Sequence, residues 1–237
     1  MNPSPSQTEA AADDWIVWQL IDSAFPTGGF AHSAGLEAAA QQGEVMNDEA
    51  LASFFESSLL QAGRAALPLV MACHREPARF AELDAMCETM LRSTVANRAS
   101  RAQGQAYLIA IERAFAGPSR PAAAELAALR AQVRRDRLPG HFATAFGASA
   151  GLLGFTSMTT AMAFLFLTLR GLVSSAVRLG IIGPMQAQAM QFEISPFARW
   201  VAHRFIDMPA IEASQSAPII DILQGGHDRL YSRLFQS

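Results

Sequence analysis

"FATAFGASAGLLGFTSMTTAMAFLFLTL", residues 142–169, runs for 28 positions without a charged side chain. A helix needs roughly 20 apolar residues to cross a bilayer, so length alone permits a membrane span. Gly147 and Gly151 stand in the GxxxG spacing that lets two helices approach closely. Three features instead favour burial inside a protein. The stretch is rich in Ala, Gly, Ser and Thr rather than uniformly greasy. Its second half has a face: Met158, Met162, Leu165, Phe166, Leu169, Leu172 and Val173 fall at helical spacing, opposite Thr159, Thr160, Ala163, Arg170 and Ser174. No basic clusters flank it on both sides, as they would to orient a single span. The reading is a pair of apolar helices broken near Gly154–Ser157 at the centre of a bundle, with a small helical membrane protein as the alternative.

Outward from that centre, punctuation and apolar spacing read as helix nearly throughout. On the N-terminal side, Pro121 opens an arginine-rich helix that stops before Leu138-Pro139-Gly140. Residues 97–115 form another, ended by Gly117-Pro118. Pro77 opens a helix carrying Phe80, Leu83, Met86, Met90 and Leu91, and Pro68 marks a further boundary. Asn47 is an N-cap for a helix with Leu51, Phe54, Phe55, Ser58 and Leu59 on one face. A helix is expected over 30–42 with Gly43 at its C-terminal cap. Residues 15–21 suit either a helix or a strand. On the C-terminal side, Ser195-Pro196 reads as an N-cap and first helical residue, 207–218 as a loop with two prolines, and a last helix follows. With no alternating strands, no repeat and no linker, the fold class is all-α: a single compact multi-helix bundle over 14–226. A polar, acidic segment, 1–13, is read as disordered, and 227–237 as a tail.

Composition narrows function. Of 237 residues, 51% are hydrophobic and only 16% charged, an apolar surplus that suits a partner surface. There is no lysine, which excludes a Walker lysine, a Schiff base and a lysine general base. A net charge of −3 gives no argument for nucleic acid. Charge is uneven: residues 1–118 hold 14 acids against 7 arginines, and 119–180 hold 2 acids against 7. The cluster "RAQVRRDR", Arg130 to Arg137, is a solvated helix end complementing the macrodipole or a site for an acidic partner. Cys73 and Cys87 make no disulfide framework, and Cys73-His74 lacks a second ligand pair at metal spacing. No export signal is apparent, so the expected location is the cytoplasm.

"PTGGFAHSAGLE", residues 26–37, invites three chemical readings. A phosphate loop would need a lysine and different glycine spacing. A nucleophile elbow at Ser33, within Ala31 to Gly35, would need an entering strand and a His and acid further on, nominally His203 or His227 with Asp207 or Asp221. The third is a tight turn into a helix, whose Ala31, Ser33, Ala34 and Gly35 let another backbone come close. The residues alone leave docking surface and packing joint open.

The same stretch resembles the N-terminal signature of the urease accessory protein UreF family, Leu-Pro-x-Gly-Gly-aromatic-x-x-Ser-x-Gly-Leu-Glu, through Phe25, Pro26, Gly28, Gly29, Phe30, Ser33, Gly35, Leu36 and Glu37. "NRASRAQG" (97–104), "GHFATAFG" (140–147), "AVRLGIIGPMQAQ" (176–188) and "HDRLYSRLFQS" (227–237) resemble the family's later motifs, in its order. Pro184 stands where the family commonly has glutamine, and Arg178 where some relatives carry lysine.

The resemblance implies a non-enzymatic urease maturation chaperone without a cofactor. It would be a homodimer that binds UreD (also called UreH), recruits the GTPase UreG, and helps deliver nickel to apo-urease. Regulation of GTP hydrolysis and part of a passage for the metal are further implications. The residues assigned to partner binding are Glu37, Arg178, His227, Tyr231, Arg233, Leu234 and Phe235. Pro26, Gly28, Gly29 and Gly35 are assigned to the turn and its packing. For Glu37 the alternative is pairing with a helix dipole, and for His227, His32 and His141 it is an ordinary hydrogen bond. Arg98 and Arg101 are expected to pair with Glu88 or Glu112. The tail is expected to gain its order on binding UreD.

Overall fold

The computed structural model describes residues 15–115 and 122–236, the Phe30 side chain excepted. The boundaries assigned to Gly117-Pro118 and Pro121, and the segment 1–13, lie outside the described residues. Helices follow one another as α1 (15–21), α2 (Leu36–Gln41), α3 (Asp48–Gln61), α4 (Leu67–Arg75), α5 (Phe80–Met90), α6 (Thr94–Phe115), α7 (Ala123–Arg135), α8 (Phe142–Leu152), α9 (Ser157–Arg178), α10 (Pro184–Phe205) and α11 (Pro218–Gly226). Among the described residues there is no strand, and the fold is all-α.

The charge-free run is the helix pair α8–α9, broken at Gly154, whose φ of +78° only glycine adopts readily. Every residue of α8 from Ala143 to Ala150 is buried. The GxxxG pair sets how α8 crosses α4. A Cβ at Gly147 would sit 2.1 Å from the Val70 carbonyl oxygen, and one at Gly151 2.3 Å from that of His74. α9 packs against α10, α4, α3 and α2, so the two-sided pattern expected of it is corrected: Thr160 and Ala163 are buried, while Met158, Met162 and Phe166 are only half-buried. Thr160 is accommodated because its hydroxyl hydrogen-bonds His74 Nδ1 at 3.1 Å. α9 is long and apolar enough to cross a membrane, yet 61% of its apolar window is buried inside the bundle. An aromatic cluster of Tyr107, Phe142, Phe146 and Phe164, with ring centroids 5.6–6.1 Å apart, joins α6, α8 and α9.

Pro68 stands in the first turn of α4, the boundary expected of it, whereas Pro196 falls inside a helix instead of opening one. Pro68 cannot donate to the Arg64 carbonyl four residues before it. The chain absorbs this with a π-helical turn over Ala62–Ala66, and the Arg64 oxygen accepts from Ser214 N at 3.3 Å. Pro196 lies within α10, which begins twelve residues earlier with Pro184 in its first turn. Pro196 and Phe192, whose carbonyl loses its donor, are both on the solvent side, where water can replace the missing bond. The Asn47 cap is as expected, its side chain accepting from Ala50 N at 2.8 Å, and Leu51, Phe54, Phe55, Ser58 and Leu59 are buried. The helix expected over 30–42 starts only at Leu36, because Ala34 (φ +52°) and Gly35 (φ +91°) hold left-handed backbone before it.

Candidate functional site

Sequence motifs far apart in the chain meet at two joints. At the first, a Cβ on Gly104 would lie 2.1 Å from the Gly140 carbonyl oxygen, so only glycine lets α6 reach the start of α8. The buried Asp84 carboxylate caps that start from α5. It accepts from Gly140 N (2.7 Å), His141 N (2.8 Å) and the Thr144 hydroxyl (2.7 Å). The His141 ring, fully buried, bridges Ser100 Oγ (3.1 Å) and Glu88 (2.8 Å). Burial works against ionisation of Glu88, but hydrogen bonds from Asn97 and His141 outweigh it and hold the carboxyl below its ordinary range.

The second joint is built on residues 25–37. Phe25 is buried against Phe115 and Tyr107, with ring centroids at 6.3 and 6.4 Å. Gly28 takes φ +71°, and a Cβ on Gly29 would press on Gln103 Nε2 at 2.9 Å. Gly35 lies against α11, where a Cβ would come within 3.2 Å of Gln224 N. Glu37, in the first turn of α2, is only 2% exposed. Its Oε2 accepts from His227 Nε2 (2.9 Å) and Phe235 N (3.3 Å), and its Oε1 from Leu234 N (2.6 Å). Facing a carboxylate, the Nε2 of the fully buried His227 is the donor, and its Nδ1 has no hydrogen-bond partner among the described residues.

From that carboxylate the C-terminal segment runs as a strap over the signature stretch. Asp228 pairs with Arg98 through both oxygens (2.9 and 3.3 Å) and with Arg233 at 3.4 Å. The Arg98 hydrogen bond holds the Asp228 carboxyl below the usual range. Phe235 is buried with the Arg178 guanidinium 4.2 Å over its ring, a cation–π contact. Gln236 N donates to Ala31 O (2.8 Å) and Gln41 Nε2 to Ser232 O (2.9 Å). Tyr231 is left fully exposed and Leu234 half exposed, and Ile219 and Ile222 of α11 are exposed as well.

The structure thus unites Glu37, His227, Arg178, Leu234 and Phe235, which the sequence nominated separately. Glu37, His227 and Phe235 face inward, while Tyr231, Leu234, Arg233 and Arg178 face out. Arg178 does not interrupt a helix; it ends α9. Arg101 meets Glu88 at 3.8 Å as expected, but Arg98 pairs with Asp228, and Glu112 pairs with Arg130. Asp84 and Asp228 escaped sequence reading because Gly140, the nearest partner of Asp84, is 56 residues away and Arg98, the main partner of Asp228, is 130 away.

Ser33 is fully buried, with no strand leading into it. Three of the four groups nominated to activate it are engaged elsewhere, Asp207 with Arg75 (2.6 Å), Asp221 with Gln61 (3.2 Å) and His227 with Glu37, and the fourth, His203, is exposed in the last turn of α10 while Ser33 is buried. Among the described residues no three His, Cys, Asp or Glu side chains cluster to hold a metal. Burial raises both cysteine thiols, Cys87 to about 12. Two cavities of about 240 Å³ each meet at His32, Gln103, Phe142 and Gln224. His32 is held below its ordinary range by burial first, and then by Arg98 and His227.

What the second joint grips is the segment 227–236 of the same chain, through two backbone amides, an imidazole and a phenyl ring. Fold and joint together define an all-α bundle with its C-terminal segment held against its own surface. The chain belongs to the UreF family of urease accessory proteins, whose sequence profile, described as UreF, matches residues 45–195. It is 39% identical to "Urease accessory protein F" of Oryza sativa subsp. indica over 224 residues, covering 93% of this chain and 84% of the relative. Identity is 38% to the protein of that name from Arabidopsis thaliana (94% and 92% covered). It is 29% to "Urease accessory protein UreF" of Xanthobacter autotrophicus (98% and 94%). Membership makes the chain a urease accessory protein with a part in urease maturation.

Proposed function

We propose that this subunit is a non-enzymatic adaptor in the cytoplasm that binds UreD/UreH and the GTPase UreG together and serves nickel delivery into apo-urease. The observation that carries the reading is the strap. Glu37 holds its end in place while Tyr231, Leu234 and Arg233 on the strap and Ile219 and Ile222 on α11 stay exposed, a strip of apolar and guanidinium groups in this reading. This strip is the surface for UreD/UreH, and Glu37 and His227 act on it from within by fixing the strap. Exposed Trp15, Trp18, Phe192 and Trp200 supply further apolar surface for a homodimer and for UreG. The cavities meeting at His32 support a passage for the metal, and an influence on GTP hydrolysis by UreG belongs to the same reading through the family alone.

Co-expression with UreD and UreG from the same genome tests the proposal. The full chain is expected to capture both, and a truncation after Gly226 to lose UreD. Capture of neither by the full chain overturns it.

A further inference from the structure

A groove of about 350 Å³ between α6 and α7 stands apart from the strap and shares no residue with it. Its floor is apolar, from Leu108, Val133 and Leu138, and Arg101, Arg130, Arg134 and Arg137 line it. Arg130 is neutralised by Glu112, and Arg101 meets Glu88 only at 3.8 Å. Arg134 and Arg137 are exposed and, among the described residues, have no carboxylate within salt-bridge distance.

Arg137 is there at a cost in backbone strain. Asp136 caps α7, and Leu138 N reaches back to the Val133 carbonyl at 3.0 Å, the closing bond of a Schellman turn. In such a turn the residue after the cap takes left-handed backbone and is ordinarily glycine. Here it is Arg137, at φ +52°. Strain kept at a position where glycine would remove it points to a use for the side chain.

We propose that this groove binds an acidic, amphipathic segment of a partner protein. Its glutamates or aspartates would meet Arg134 and Arg137, and its apolar side chains would cover Leu108, Val133 and Leu138. The apolar floor favours a peptide over a wholly polar polyanion, which would gain nothing from it.

The test is fluorescence anisotropy on the full chain, with a fluorescein-labelled synthetic peptide alternating glutamate with leucine. A glutamine-for-glutamate version serves as control. The acidic peptide is expected to bind, and more weakly as salt rises. Arg134→Glu and Arg137→Glu are each expected to weaken it by about tenfold, and Arg199→Glu, on α10, to leave it unchanged. Arg137→Gly separates ligand binding from structure: affinity falls about fivefold while the melting temperature stays level or rises by about 2 °C. Equal binding of the glutamine peptide, equal displacement by duplex DNA or polyphosphate, or affinity unmoved in Arg137→Gly overturns the proposal. So does self-association of the chain that Arg137→Glu abolishes, which would make the occupant a second copy.

Discussion

The two joints built by the motifs differ in how far the carboxylate reaches. In the seam of α8 against α4 and α6 the close approach comes from Gly147, Gly151 and Gly104, which lack the carbon that would keep the backbones apart, and the Asp84 carboxylate caps only the start of α8. In the strap one buried carboxylate draws in three donors from the far end of the chain, with Arg98–Asp228 and Arg178–Phe235 around it. Close packing of the first kind has no half-way state. A peripheral strap is expected to be released locally while the bundle stays folded, in keeping with the partner surface proposed for it.

Substitutions sharpen this contrast, and the seam has the largest expected effects. Gly147→Val puts side-chain carbon against the Val70 carbonyl, where a Cβ alone would stand at 2.1 Å, and is expected to cost about 3 kcal/mol or more in urea denaturation. Gly171→Ala in α9 is its control, since a Cβ there meets nothing within 4 Å. It is expected to gain up to about 1 kcal/mol. Equal losses from both would break the claim that the seam depends on glycine.

Next is Asp84→Asn, which weakens the cap of α8 by replacing an acceptor-only carboxylate that serves three donors. A loss of about 2 kcal/mol is expected by the same assay.

Much of the seam was legible in the sequence. The break at Gly154, the GxxxG spacing and the Asn47 cap are local signals, and local rules read them correctly. Pro196 misled for an equally physical reason. Whether proline opens a helix or lies within one depends on what replaces the lost hydrogen bond, and at Pro196 the exposed Phe192 side of α10 leaves that to water. The strap was legible only as a list of residues. That Glu37 and His227 face each other, and that Arg98 serves Asp228 instead of its helical neighbours, depends on chain ends brought together by the fold. No spacing encodes such a contact.

The smallest expected effect is the strap's response to acid. The folded-state pKa of Asp228 is depressed by Arg98, so its contribution is complete above the unfolded value near 4 and is lost as pH falls through the folded one. Proteolysis of the tail should therefore quicken modestly below about pH 4, and with added salt at neutral pH, because the pair is exposed.

Hydrogen exchange of the free chain, with and without Glu37→Gln, tests the central claim most directly. In the native chain the amides of Leu234 and Phe235 should be protected, and the substitution should release them while α4 and α8 keep their protection. Rapid exchange of both amides in the native chain would contradict the account, as would protection that survives the loss of the carboxylate.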